Sequence, residues 1–165
     1  MFGSLVRGAV GNARRSLDEI SRAVADRRSV QHEESHIGDL VRLPLEECLQ
    51  LLEESSIGRL AYLPRPGSPD VVPVNFLWYD GSIWVRTAPG PKMQAAERRD
   101  RVAFEVDRVD EATQTGWSVV VVGRLQVADP GQLPAGVGPE PWSRGTRRHV
   151  IRLDPQRIEG RRVLG

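Results

Sequence analysis

The sequence predicts a small, mainly β protein: an antiparallel barrel with helices at its periphery. Three observations carry this. Asp80-Gly81 separates two alternating apolar runs, 71–79 and 82–87, and Asp-Gly suits a type I′ hairpin turn because both central residues need φ > 0. Val102, Phe104 and Val106 alternate with polar residues over 102–107, and residues 117–127 form the longest β-rich run. Helical spacing is confined to short segments and the order is not βαβ, so a Rossmann-type nucleotide site is not expected.

The chain divides near residue 39. In residues 1–38, Ala9, Ala13, Leu17, Ile20 and Val24 fall at helical spacing beside arginines, which predicts a weak amphipathic helix, favoured to pack on its own domain, with a membrane surface, a nucleic acid or a partner protein as the alternatives. A polar linker follows. His32, Glu33 and His36 lie in it, but no periodic element anchors them, so no metal site is expected. Residues 39–165 form the compact domain. Pro44, with Glu46 and Glu47 behind it, opens a helix to about Glu54, since proline suits the first helical position and acids suit the first turn. Residues 57–63 read as a strand and 64–70 as a Pro/Gly turn.

The central hairpin comes next. The turn register sets Tyr79 opposite Ser82, Leu77 opposite Trp84, Asn75 opposite Arg86 and Val74 opposite Thr87. Val72, Val74, Phe76, Trp78, Ile83 and Val85 then share a core face, while Asn75, Leu77, Trp84 and Arg86 share the other. The second strand runs into Thr87-Ala88-Pro89-Gly90-Pro91-Lys92 and a helix-prone stretch, 93–99. A hydroxyl, an ammonium and free N–H groups at such a turn suit a phosphate.

In the long strand, Trp117, Val119, Val121, Leu125 and Val127 share the inner face, and Val120 and Val122 make the other face apolar too. A second apolar face suggests a second layer or a partner subunit. Residues 128–146 read as a Gly/Pro-dense loop carrying Trp142, either a lid or a plug at the core edge. Residues 149–153 and 158–163 read as two further strands.

Charge and composition narrow the function. The 165 residues carry a net charge of +1, which speaks against a dedicated nucleic-acid binder. Cys48 is the single cysteine; it falls in the stripe Leu45, Cys48, Leu49, Leu52 and reads as a small buried hydrophobe. No internal disulfide, membrane span or signal peptide is expected, which makes the cytoplasm the default location. Neither a nucleophile elbow nor zinc-ligand spacing nor a convincing carboxylate pair is present. Glu105 and Asp107 share a strand face that reads as solvated.

The ordered set Pro44-Leu45-Glu46-Glu47-Cys48-Leu49, Val72-Pro73-Val74-Asn75-Phe76, Arg86-Thr87 with Gly90 and Lys92, Val102 to Asp107, Gly116 to Arg124, Pro141-Trp142 and His149 to Leu153 resembles the pyridoxamine 5′-phosphate oxidase-like, FMN-binding split-barrel proteins of actinobacteria. The resemblance covers about residues 39–163. It implies a Greek-key split β-barrel with peripheral helices and a homodimer holding FMN at its interface. Val74, Asn75 and Phe76 would run beside the flavin ring, and Arg86, Thr87 and Lys92 would hold the phosphate. Trp117 and Ser118 would reach the flavin from the long strand, and Trp142 would cover the ring from the partner chain.

Pro91 stands where pyridoxamine phosphate oxidases often carry a basic residue, and the C-terminal arginine motif is absent, so vitamin B6 oxidation is not implied. The reading is an FMN-dependent oxidoreductase acting on a small molecule. The alternatives are a split barrel binding deazaflavin F420 or haem, a flavin-binding or interaction protein without turnover, and, least favoured, a barrel for single-stranded nucleic acid.

Overall fold

A computed structural model describes residues 40–133, 138–139 and 148–164. The expected N-terminal helix, the linker histidines and Trp142 lie outside them. The described residues form eight strands and two helices: β1 (Leu40–Leu43), α1 (Leu45–Glu54), β2 (Ile57–Arg65), β3 (Ser68–Asn75), β4 (Leu77–Tyr79), β5 (Ser82–Thr87), α2 (Pro91–Glu97), β6 (Arg101–Asp110), β7 (Thr115–Ala128) and β8 (His149–Val163). A short 3₁₀ turn, Pro130–Gln132, follows β7.

All strand pairs are antiparallel, in the order β3-β2-β6-β7-β8-β5-β4, with β1 added on β8. The two ends of this path, β3 and β4, are separated in the chain by Phe76 alone. The sheet therefore has to curl until its ends meet, and the break between them makes the barrel split. The Phe76 N–H donates to Ser56 O (3.0 Å) instead of continuing a ladder. An unpaired buried N–H would be costly, so this bond fixes where the chain changes partner.

Phe76 thus divides the expected hairpin. Asp80 (φ 49°) and Gly81 (φ 70°) adopt the type I′ signs, and the register Leu77↔Trp84, Trp78↔Ile83, Tyr79↔Ser82 follows. Beyond Leu77 the pairing differs from expectation. Asn75 and Val74 pair with Ile57 and Gly58 of β2, not with Arg86 and Thr87. The turn alone sets register only while both strands stay in one ladder.

Other boundaries also shift. Residues 64–70 contain only a two-residue turn, Pro66-Gly67, with Gly67 at φ 74°. Pro44 is the N-cap of α1 rather than its first helical residue. Residues 149–163 are one strand, not two, and its register slips against β7 between Val122 and Gly123. That slip absorbs Pro155, which has no N–H for a regular ladder. β1 was not expected; its four residues alternate too briefly to signal a strand.

The inner face carries the main core. Cys48, Leu49 and Leu52 of α1 close one end, and Leu60, Phe104, Val119, Val121, Leu125, Ile151 and Leu153 fill the barrel. Phe76 and Phe104 meet edge to face with centroids 4.8 Å apart, an arrangement the ring quadrupoles favour. All the expected inward residues of the hairpin join this cluster, Val72 at its rim. Val127, the penultimate residue of β7, is instead 45% exposed.

A second cluster forms outside the barrel from Tyr79, Trp84, Leu133 and Val150. Trp84 is therefore a core residue. Its Nε1–H donates to Tyr79 O (2.9 Å), and the Arg152 guanidinium lies 5.3 Å from its ring centroid. No described helix is long and apolar enough to cross a membrane.

Candidate functional site

The turn after β5 and the end of β3 meet in a cleft of about 160 Å³. Val74 and Asn75 reach it from β3, Arg86 and Thr87 from β5, and Lys92 from the first turn of α2. Asn75 and Arg86 are not ladder partners, yet the curl of the sheet brings both to one hollow. Five of the nine residues singled out for a cofactor thus line a single cleft, together with Pro73, Ala88, Pro89, Gly90 and Pro139.

Local chemistry explains the shape. Gly90 adopts φ 152° as the N-cap of α2, and Pro91 begins the helix. A side chain at Gly90 would strain the backbone there. Pro89 and Pro91 carry no N–H, so the turn relies on side-chain donors. Thr87 is 3% exposed, and its Oγ1 donates to Ala88 O (3.1 Å), which leaves the oxygen lone pairs to accept.

Among the described residues the lining carries Arg86 and Lys92 and no acidic side chain. Arg86 is half-buried, and among the described residues it makes no side-chain hydrogen bond or ion pair. Gly138 presses on it: a Cβ built there would lie 2.9 Å from Arg86 Nη2. A half-buried guanidinium with five donors and no anion is primed for a carboxylate or phosphate. Gly138 and Pro139 were not foreseen as site residues. Their only sequence signal was the Gly/Pro density of the loop they belong to.

The remaining candidates lie elsewhere. The Phe76 side chain is 4% exposed in the core and its N–H is spent on Ser56; of its backbone groups, only the carbonyl is left to face a ligand. Trp117 and Ser118 lie at the far end of β7, beside a broad groove of about 650 Å³. Register measures the separation: Arg86 pairs with Val150 of β8 and Trp117 with Arg162. The two partners are twelve positions apart (162 − 150), or about 40 Å of strand contour. One chain does not bring the two sets to one cleft.

Among the described residues no group of three or more His, Cys, Asp or Glu side chains could hold a metal ion. The cysteine is inert by position: burial, then the neighbouring Glu47 carboxylate, push the Cys48 thiol up to about 11. Burial, then Asp70, also raise the Tyr62 phenol, whose hydroxyl donates to Asp70 Oδ2 (3.3 Å).

A family model described as pyridoxamine 5′-phosphate oxidase matches residues 44–162. The chain belongs to this family. An uncharacterised protein of Mycobacterium tuberculosis is 32% identical over 133 residues, 76% of this chain and 87% of that protein. A solved FAD-binding protein from Mycobacterium smegmatis is 28% identical at a TM-score of 0.56, covering 74% of this chain and 97% of its own. A FAD- and haem-binding protein from the same organism shares the fold at 14% identity and a TM-score of 0.56, over 78% of this chain and 75% of that one. The family match begins with α1 and ends on β8, so it spans the split barrel and the positive cleft.

Proposed function

We propose that this protein is a flavin-dependent oxidoreductase that binds FMN with its phosphate in the cleft of Arg86, Thr87 and Lys92 and acts on a small molecule. One observation carries the reading: among the described residues the cleft's lining brings Arg86 and Lys92 together with no carboxylate, and Arg86 makes no ion pair there. A flavin phosphate brings nearly two negative charges, which this donor set would neutralise. The smegmatis relative named as FAD-binding supports a flavin rather than F420 or haem.

The protein's part would be binding and orientation, with the redox chemistry supplied by the flavin when bound. Arg86 can offer a fork of N–H donors, Lys92 an ammonium, and Thr87 a hydroxyl that would turn from Ala88 O to donate to a phosphate oxygen. Val74 and Asn75, which line the cleft, would run along the flavin ring. The Phe76 carbonyl could still accept from a ring N–H.

The same reading includes a homodimer. Trp117 and Ser118 are about 40 Å of strand from Arg86's pairing position on their own chain, so a second copy would have to bring them to the ring. Val120 and Val122, half-exposed on the outer face of β7, would be covered by that contact. The single cysteine, buried and held as a thiol, fits a reducing cytoplasm.

The test is the visible spectrum of freshly purified protein, followed by titration with FMN, FAD, F420 and haem. Tight FMN uptake with oxidised-flavin bands supports the proposal. A colourless protein that takes up neither flavin, or one that prefers haem or F420, overturns it.

A further inference from the structure

The cleft of Arg86, Thr87 and Lys92 has walls as well as donors, and the walls limit how much of a ligand can enter. Its volume is about 160 Å³. That is the share of liquid taken by about five waters, and it is below the roughly 300–1,000 Å³ of pockets that enclose a whole drug-sized ligand. A single phosphate head suits such a space. Beside Arg86 the chain returns as Gly138 and Pro139. Gly138 lies so close that a Cβ built there would sit 2.9 Å from Nη2 and 3.3 Å from Nε of the guanidinium. Pro139 is buried and forms part of the lining. On the Arg86 side the cleft therefore meets a wall of backbone and proline ring.

The donors set the same limit. Four of the eleven lining residues are prolines, Pro73, Pro89, Pro91 and Pro139, and a proline has no N–H to give. Sites for a diphosphate present a row of backbone N–H groups from a glycine-rich turn at a helix start. Here the helix α2 starts on Pro91, so the side chains of Arg86, Lys92 and Thr87 carry most of the donor capacity. Two cations match one terminal phosphate, which bears close to two negative charges near pH 7. A phosphate esterified on both sides bears one, and the atoms beyond it need a way out past the wall.

We propose that Gly138 and Pro139 make this cleft specific for a terminal phosphate monoester. The protein then selects FMN against FAD and against F420, whose phosphates are joined on both sides. Pro139 is the specificity-determining residue, since a wall that obstructs the longer ligand discriminates without any added contact to the shorter one. Gly138 lets that wall close directly on Arg86. This selection rests on the flavin reading above and adds to it the phosphate chemistry that the cleft accepts.

The test is calorimetric titration of the full chain, freed of any bound cofactor, with FMN, FAD and riboflavin. Wild type should bind FMN tighter than FAD by about tenfold or more, and FAD no tighter than riboflavin. Pro139→Gly removes the ring from the wall, and the FMN-to-FAD affinity ratio should fall by about fivefold or more. Pro139→Ala should move the ratio the same way. The wild-type ratio needs no variant, so it decides even where a substitution unfolds the chain. FAD bound as tightly as FMN by wild type, with both far tighter than riboflavin, overturns the selection and leaves the flavin reading standing. A ratio unchanged in both variants, each melting as wild type does, also overturns it, because the obstruction then lies elsewhere. FMN bound no tighter than riboflavin overturns the selection together with the phosphate assignment on which it rests.

Discussion

Gly160 of β8 packs so closely on Cys48 of α1 that a Cβ built on the glycine would lie 2.5 Å from Sγ and 3.0 Å from Leu43 Cβ. Both neighbours are held by backbone, β1 by its ladder to β8 and Cys48 by the helix. Gly160→Ala should therefore cost about 1–3 kcal/mol, the range for overpacked cores. Cys48→Ala in the same chain removes the sulfur and should recover part of that loss. A thermal-unfolding double-mutant cycle checks it: strict additivity would mean the two residues do not press on each other.

The Cys48 thiol gives a pH prediction. Its folded value, about 11, lies above the ordinary thiol value of 9.0. Between these the unfolded chain releases the proton and the folded chain keeps it, so unfolding is favoured as pH rises. The contribution is fully present below pH 9 and is lost between about pH 9 and 11. Wild type should lose melting temperature more steeply over this window than Cys48→Ala. A thiol reagent at pH 8 should modify the native protein only on the timescale of unfolding.

A polar cluster at the hairpin supports a third prediction. Asp154 accepts from Ser82 Oγ (3.1 Å) and from Gln126 Nε2, and its Oδ1 lies 2.8 Å from Arg152 Nε. The Nε–H is not directed at that oxygen, but Arg152 Nη2 donates to Asp154 Oδ2 (3.3 Å). Asp154→Ala would leave Ser82, 2% exposed, and Arg152 without their acceptor. The aspartate side chain is 37% exposed, and solvent screening keeps the expected loss to about 1–2 kcal/mol. Denaturant unfolding measures it, and Asp154→Ala with Arg152→Met should lose less than the two single changes summed.

The residues that carried the fold in the sequence were those with a purely local cause. Asp80-Gly81 demanded its turn, and the alternations Val102, Phe104, Val106 and Val119, Val121 put those side chains inward whatever their strand neighbours. The break at Phe76 was illegible because its cause is Ser56, twenty residues earlier. The joined strand 149–163 was hidden by Pro155, whose ladder defect is absorbed by a slip opposite Gly123. Of the five cleft residues, Thr87 and Lys92 stood out because they share one short turn with Gly90, Asn75 and Arg86 because strand alternation put them on a mixed polar face, and Val74 only through the family resemblance. Gly138 and Pro139 reach the cleft through tertiary folding, which no local pattern records.

The dimer proposed above predicts an oligomer whose loss costs ligand. Val120→Glu and Val122→Glu place charge on the outer face of β7, where both valines are half-exposed. Light scattering at micromolar concentration should give a dimer for wild type and a monomer for the double variant. Flavin affinity should fall with it, because the partner's Trp117 and Ser118 would no longer reach the ring. A monomeric wild type, or a monomeric variant with undiminished affinity, would remove the shared site.

The phosphate assignment is the sharpest test of the cleft. Lys92→Met and Arg86→Met each keep an apolar stem and remove one of the two charges carried by the cleft's described lining. Each should weaken FMN by about 2–4 kcal/mol, the loss seen when one side of a desolvated charge pair is deleted, or roughly 30- to 1,000-fold in Kd. Riboflavin has no phosphate, so its affinity should be nearly unchanged in both variants. Pro89 and Pro91 offer no N–H to compensate, which keeps the side chains decisive. Gly138→Val offers an independent reading: its side chain would displace the Arg86 guanidinium from 2.9 Å, a flexible group that can swing away at small cost in stability. That variant should melt close to wild type and still bind FMN less tightly. Flavin fluorescence titration of all three against wild type decides the matter. If FMN and riboflavin weaken equally, the cleft holds the ring and not the phosphate. If neither changes, Arg86 and Lys92 are surface charges, and the anion belongs elsewhere.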